Sequence, residues 1–459
     1  MTNSLLLDAA ARAGHYLENS AQRPVFPTSA ALANLHQFEQ PLLDQPSDPA
    51  AVLARLDEIG SPATVASAGP RYFGFVTGGS LPAALAANWL ADAWDNNGAF
   101  TVSSPINAKL EEVALRWLIE LFGLPATSGG GFVTGATMAN FTALAAARHA
   151  LLQQQGWDVE AQGLFGAPPL TVVVGNEVHV SVLKALGMLG LGRERVVRVA
   201  VDGQGRMLPS ALPTLDAATI VILQAGNVNT GACDPMDKIC ALARAAGAWT
   251  HVDGAFGMWA ALAPARAHLV QGLGAADSWA TDAHKWLNIP YDSGLVFCRQ
   301  PQFLAGAMSF SAAYLVPSDQ REPSHYTPEM SRRTRGVEIW AALQSLGRTG
   351  LADLIERNCR YATQFATGLA AAGYTVLNEV TLNQVMVAFG DDATTRNVIA
   401  AVQQEGTCWA GGTTWHGRAA MRISVSSWAT TAQDVEQSLA AIVRVATEGR
   451  QQLSEPGWA

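Results

Sequence analysis

The sequence predicts an α/β protein whose larger part is a three-layer domain, a mostly parallel sheet covered by helices on both faces. Two observations predict it. Apolar runs such as Thr171-Val172-Val173-Val174 and Thr219-Ile220-Val221-Ile222-Leu223 lack polar alternation, as strands buried on both faces do. Helical stretches alternate with them through the middle of the chain, the order expected of βα units. The strand candidates are Gly131–Thr134, Leu170–Val174, Val196–Ala200, Thr219–Gln224, Trp249–Val252, Ser278–Thr281 and Gly294–Cys298, a seven-stranded sheet. Helices are expected between several of them, at Thr137–Gln154, Val178–Leu189 and Pro235–Ala246.

The flanking regions read differently. Residues 1–70 join helical stretches by Pro-containing loops and carry few strand signals, so they read as a helical N-terminal arm packed on another surface. Leu110, Ala114, Trp117 and Leu121 share one face of a helix that Gly123-Leu124-Pro125 ends. Beyond about Ser331 a long helical stretch, Val337 to Ala372, precedes strand candidates at Gln384–Phe389 and Ala420–Ser426. Helices at Thr395–Glu405 and Ala432–Thr447 accompany those strands. This is a small C-terminal α+β domain. The expected division is an arm over 1–70, a large domain over 71–340 and the small domain over 341–459.

Composition excludes several classes of function. At 459 residues the chain exceeds one typical core, and 15% charged against 49% hydrophobic residues is unlike a disordered chain. Lys and Arg total 29 against 38 Asp and Glu, a net charge of −9, which argues against nucleic-acid and anionic-membrane partners. No apolar run approaches the ~18 residues of a membrane span, and the first residues lack the basic segment of a signal peptide. The five cysteines are scattered and lack a metal-ligand spacing. They read as reduced thiols of a cytoplasmic protein without a metal site.

Three stretches carry chemistry. Asp253 ends the strand Trp249-Thr250-His251-Val252, where a buried carboxylate is costly unless a donor or cation meets it. Alone it is an ordinary strand-exit Asp. Lys285 follows the next strand candidate, in Asp282-Ala283-His284-Lys285-Trp286, amid apolar residues. Desolvation there favours the neutral amine that attacks a carbonyl. Gly135-Ala136-Thr137 opens a helix, where free backbone N–H groups and a hydroxyl suit an anion such as phosphate. The three features are far more specific together than apart.

At these residues the chain resembles the group II pyridoxal-phosphate-dependent amino-acid decarboxylases, relatives of aromatic-L-amino-acid and glutamate decarboxylases. The resemblance runs from Arg71 to the C-terminal helix. It is most specific at His251-Val252-Asp253-Gly254-Ala255 and from Asp277-Ser278 to His284-Lys285-Trp286. Pro70-Arg71-Tyr72-Phe73, Ser104-Pro105, Thr134 to Asn140 and Val178-His179-Val180-Ser181 support it.

The resemblance implies the pyridoxal-phosphate-dependent transferase fold type I. It also implies a homodimer with its active site at the interface. Lys285 would hold pyridoxal 5'-phosphate as a Schiff base, with His284, Gly135, Ala136 and Thr137 at the phosphate. Asp253 would pair with the ring nitrogen, Ala255 and His179 would face the ring, and Asn227 would hydrogen-bond the cofactor. Relatives often carry Thr in place of Asn227 and Glu in place of Met138.

The cofactor alone leaves transamination, racemisation, elimination and decarboxylation open. Decarboxylation needs a proton at Cα, and by resemblance Tyr314 in Ser311-Ala312-Ala313-Tyr314-Leu315 supplies it. Relatives that release an aldehyde tend to lack this Tyr, so an L-amino acid giving its amine and carbon dioxide is the expected reaction. An aminotransferase, a lyase and a decarboxylation-dependent oxidative deaminase are the alternatives on the same fold. Tyr72 to Thr77 and Phe100 to Ser103 would line the substrate pocket, in part from the partner subunit. Arg335 and Arg422 stand at recurrent family positions without an assigned catalytic role.

Overall fold

The computed structural model describes residues 2–310 and 321–454. It divides into two compact units, one of residues 78–363 and 378–385 and one of residues 1–77, 364–377 and 386–459. Residues 1–70 thus group with C-terminal residues.

The first unit is built on a seven-stranded sheet of β1 (Gly129–Val133), β2 (Thr171–Gly175), β3 (Val197–Val199), β4 (Thr219–Gln224), β5 (Trp249–Asp253), β6 (Ser278–Asp282) and β7 (Gly294–Cys298). The spatial order is β1-β7-β6-β5-β4-β2-β3. The pairs β2–β3, β2–β4, β4–β5 and β5–β6 are parallel, and β7 is antiparallel to both neighbours. Each strand candidate forms its strand within two residues of its expected ends. Helix Ala136–Gln154 lies on one face, where its Ala139, Ala143, Ala147 and Ala150 join Val172, Ile220, Ile222, Ala280 and Val296 in a single core. Small side chains on the helix let it approach β-branched ones on the strands.

Between β5 and β6 the chain makes three short 3-10 turns, Gly257–Leu262, Ala267–Val270 and Leu273–Ala275. Pro264 and the short spacing of glycines oppose a continuous helix there.

A second sheet has four strands, β8 (Thr375–Val376), β9 (Gln384–Ala388), β10 (Gly411–Trp415) and β11 (Arg418–Ser424), in the order β10-β11-β9-β8. Helices Asp392–Glu405 and Ala432–Ser454 accompany it, the second running further than its apolar pattern predicts. Met386, Trp415 and Ala420 form a small core cluster in this unit. The predicted long helix, Gly336–Ala371, is broken at Gly347, where φ is 60°. The short strand β8 and the Gly- and Thr-rich β10 carry too few apolar residues to be seen in the sequence. No helix among the described residues is long and apolar enough to cross a membrane.

Candidate active site

Strand alternation places His251 and Asp253 of β5 and Ser278 and Asp282 of β6 on one face. Trp249, His251 and Asp253 occupy every second position, and the register pairs His251 with Ser278 and Asp253 with Ala280. Asp282, two residues past Ala280, therefore points to the same face. Helix Ala136–Gln154 covers that face, with Ala136 and Asn140 one turn apart on its first two turns.

The first turn of this helix, Asp282, His284 and Lys285 form one polar cluster. The backbone N–H of Ala136 donates to Asp282 Oδ1 at 2.5 Å, and Lys285 Nζ lies 3.0 Å from Asp282 Oδ2. His284 Nδ1 accepts from the Ser293 N–H at 3.1 Å, so its Nε2 carries the hydrogen and faces Asp282 Oδ1 at 3.3 Å. Burial lowers the His284 pKa, with Asp282 acting against that, and its ring stacks on Tyr291 at 4.3 Å.

Close packing requires glycine at two points. A Cβ on Gly294 would strike the backbone of Gly135, and one on Gly78 would strike the Lys285 carbonyl.

Asp253 is buried, and burial pushes its carboxyl above the usual range. His179, Lys285 and a hydrogen bond from Asn140 act against that rise, and the Ala255 N–H donates to Oδ1 at 3.3 Å. His179 caps helix Val180–Met188, its Nδ1 accepting from the Ser181 N–H at 3.2 Å and meeting Ser181 Oγ at 2.7 Å. Its Nε2 therefore carries the proton.

A cavity of about 380 Å³ joins most of the predicted residues: Gly135, Ala136 and Thr137 at one side, His284 and Lys285 at another, with His179 and Ala255 between. That volume is at the small end of ligand pockets, roughly 300–1,000 Å³. Met138, Ser181, Asp282 and Tyr291 also line it.

Not every predicted residue reaches this cavity. Asp253 is not among its lining residues. Asn227 is committed to its own loop, its Oδ1 accepting from the N–H groups of Asn229 (2.9 Å) and Thr230 (3.2 Å). Tyr314 lies outside the described residues. Arg335 pairs with Asp292 at 3.0 Å within the same unit, which suits a structural role. Arg422 belongs to the other unit, on β11, where burial lowers its pKa.

Sequence reasoning missed four residues that the structure makes central: Asp282, Asn140, Ser278 and His251. All stood inside recognised motifs. Period-two alternation along β5 and β6, combined with the i, i+4 step from Ala136 to Asn140, was the available signal.

The donor set suits pyridoxal phosphate. The helix start at Ala136 and the Thr137 hydroxyl suit a phosphate, Lys285 offers an amine, and Asp253 offers an anion for a ring nitrogen; the Ala136 N–H and the His284 Nε2–H meet Asp282 in this structure. Among the described residues no group of three or more His, Cys, Asp or Glu side chains could hold a metal.

A mostly parallel sheet with a lysine, an anion-binding turn and a buried carboxylate at its strand ends defines the fold type I architecture of pyridoxal-phosphate proteins. Residues 34–389 match the pyridoxal-dependent decarboxylase conserved domain. This chain belongs to that family, the group II decarboxylases.

Among its relatives, the aromatic-L-amino-acid decarboxylase of Bacillus atrophaeus is 28% identical over 66% of this chain and 64% of its own length. The acidic amino acid decarboxylase of Bos taurus is 30% identical over 63% of this chain and 57% of its own. This chain thus spans about three-fifths of the length of these curated relatives. In fold it is similar to an Oryza sativa TDC solved with PLP and tryptamine, with a TM-score of 0.88 and 21% identity over 97% of this chain and 98% of that one.

Proposed function

We propose that this protein decarboxylates an L-amino acid to its amine and carbon dioxide, using pyridoxal 5'-phosphate. The observation that carries this reading is the meeting of Lys285, His284 and the Gly135–Thr137 turn in one cavity, with Asp253 at the end of the neighbouring strand. When bound, the cofactor supplies an electron sink for the pair left at Cα as carbon dioxide departs.

The protein's own residues do the rest. Lys285 would hold the cofactor at its aldehyde carbon, and Gly135, Ala136, Thr137 and His284 would hold its phosphate. Asp253 would keep the ring nitrogen protonated, and Asn227 would add a polar contact at the loop that carries it. Ala255 and His179 would enclose the ring, with His179 presenting an Nε2–H near the substrate. Tyr314 would deliver the proton to Cα after the carboxylate leaves.

The reading extends to a cytoplasmic homodimer in which residues 1–70 pack as an arm between subunits. The domain over 71–340 would bind the cofactor, and 341–459 would form the smaller domain. Exposed apolar side chains support a second copy: Trp89, Leu90 and Trp94 on helix Pro82–Trp94, and Val102 beyond it, 89% exposed. Phe75 is 62% exposed, and it and Val76 hold positive φ values of 53° and 58°, strain that proteins keep at functional surfaces. All five cysteines are free, which fits a reducing compartment.

A panel of L-amino acids with product analysis tests the reaction. Amine without keto acid or aldehyde is expected from at least one substrate, and keto acid as the main product would overturn it. Purified protein should carry visible cofactor absorbance that Lys285→Ala loses. Tyr314→Phe should divert product from amine toward aldehyde.

A further inference from the structure

On β4 the apolar row covered by helix Ala136–Gln154 ends in an amide that takes no part in the mechanism above. Ile220 and Ile222 lie in the core under that helix, and Gln224 is the next residue on their face. The register sets it beside Asp253. Gln224 is buried, and a buried amide costs about 1–3 kcal/mol unless its oxygen and nitrogen find partners.

Both atoms find one. Gln224 Nε2 donates to the Glu177 carbonyl at 2.7 Å, and Gln224 Oε1 accepts from Asn227 Nδ2 at 3.4 Å. The sense is fixed from both ends. A backbone carbonyl only accepts, so the Gln224 NH2 group must face Glu177. Asn227 Oδ1 is taken by the N–H groups of Asn229 and Thr230, which leaves Nδ2 toward Gln224. The backbone of Gln224 is held as well. Its N–H donates to Asp234 Oδ2 at 2.7 Å, and the Asp234 N–H donates to the Gln224 carbonyl at 2.9 Å. A fixed strand end thus carries an amide that bridges two loops.

Glu177 belongs to the turn that leaves β2 and delivers His179. The Val178 N–H closes that turn on the Gly175 carbonyl at 3.1 Å, and the Asn176 N–H donates to the Val199 carbonyl at 2.9 Å. Two residues after Glu177, His179 caps helix Val180–Met188 and lines the cavity.

We infer that Gln224 is a positioning residue for His179, fixing through the Glu177 carbonyl the turn that sets this imidazole in the cofactor cavity. This rests on the reading of the site given above. A residue that only filled this end of the sheet would need neither the donor nor the acceptor, as Ile220 and Ile222 show one and two steps earlier on the same face.

The test uses the full chain as apoprotein. Gln224→Met keeps the length of the side chain and loses both of its hydrogen bonds; Gln224→Leu takes its place if that protein does not fold. Without cofactor, deuterium exchange over residues 176–179 should run about tenfold faster than in wild type, with exchange in the sheet unchanged. Titration with pyridoxal 5'-phosphate, followed by visible absorbance, should show about fivefold weaker binding, the loss of roughly one buried hydrogen bond. His179→Ala should also bind more weakly, and adding Gln224→Met to it should cost no further affinity.

Three results overturn the inference. One is wild-type exchange in the turn of the folded variant. Another is faster exchange with unchanged cofactor affinity, which would make the tie purely structural. The third is full additivity of the His179 and Gln224 variants, which would mean that Gln224 acts by a route other than His179. Wild type that binds no cofactor would instead defeat the reading of the site, while exchange in the turn would still decide whether Gln224 holds it.

Discussion

Asp253 and Asp282 end neighbouring parallel strands and point to the same face, yet their surroundings are opposite in character. Asp282 meets cationic and backbone donors: the Lys285 ammonium, the His284 Nε2–H and the Ala136 N–H. Asp253 accepts from the Ala255 N–H, and burial pushes its carboxyl up against the pull of the His179 and Lys285 charges. A carboxylate that touches an ammonium ties that ammonium in place. One without an ammonium in contact leaves its oxygens for a cationic partner brought from outside. The same residue type at two strand ends thus serves two purposes, decided by what the covering helix and the following turn present.

The largest expected effect comes from removing the charge at Asp253. Asp253→Asn keeps the shape and the hydrogen-bonding size but offers nothing to hold a proton on a ring nitrogen. kcat/KM should fall by about 10²–10³-fold, the scale of losing one preorganised electrostatic contact. Steady-state kinetics on the substrate found by the amino-acid panel measures it. A loss of less than tenfold would mean that Asp253 is merely a buried strand-exit carboxylate.

The contrast between the two aspartates also marks what the sequence made legible. The strand alternation, the helix after Gly135 and the lysine after β6 were all readable, because apolar runs and turn residues report burial directly. Asp253 was assigned through its motif. Asp282 stood in the same motif without a role, since its importance depends on Ala136, nearly 150 residues earlier, reaching it across the sheet. Asn140 and Ser278 were hidden for the same reason: a polar residue facing a sheet looks like any other helix or strand residue until its partner is known. Asn227 shows the reverse case. Its motif suggested a cofactor contact, but its oxygen is used by the turn it sits in.

The buried imidazole of His251 predicts a pH effect of middle size. In the folded chain the His251 pKa is about 3, below the 6.5 of a free imidazole. The unfolded chain therefore takes up a proton between those values and the folded one does not. Stability is lost as pH falls below 6.5, by about 1.4 kcal/mol per unit, or roughly 2 kcal/mol by pH 5. His251→Gln lacks this group, so its urea unfolding should be flatter over that window by about this amount. Equal slopes for the two proteins would show that the imidazole gains a proton in the folded state.

The smallest effect is expected at Asp282, and it sharpens the comparison most. Asp282→Asn keeps one oxygen for the Ala136 N–H but turns an amide toward Lys285, whose ammonium then loses its acceptor. Lys285 keeps some solvent contact, 18% of its side chain, so water can replace part of what is lost. Cofactor capture should slow by about tenfold, and kcat/KM should fall at least tenfold less than in Asp253→Asn. Asp282→Ala goes further and leaves the Ala136 N–H without its partner, costing about 1–3 kcal/mol of stability in urea unfolding. The two Asp282 variants therefore separate its hold on the lysine from its hold on the helix. If Asp282→Asn instead lost as much activity as Asp253→Asn, the two carboxylates would share the work of charge at the ring. The difference in their surroundings would then be one of packing alone.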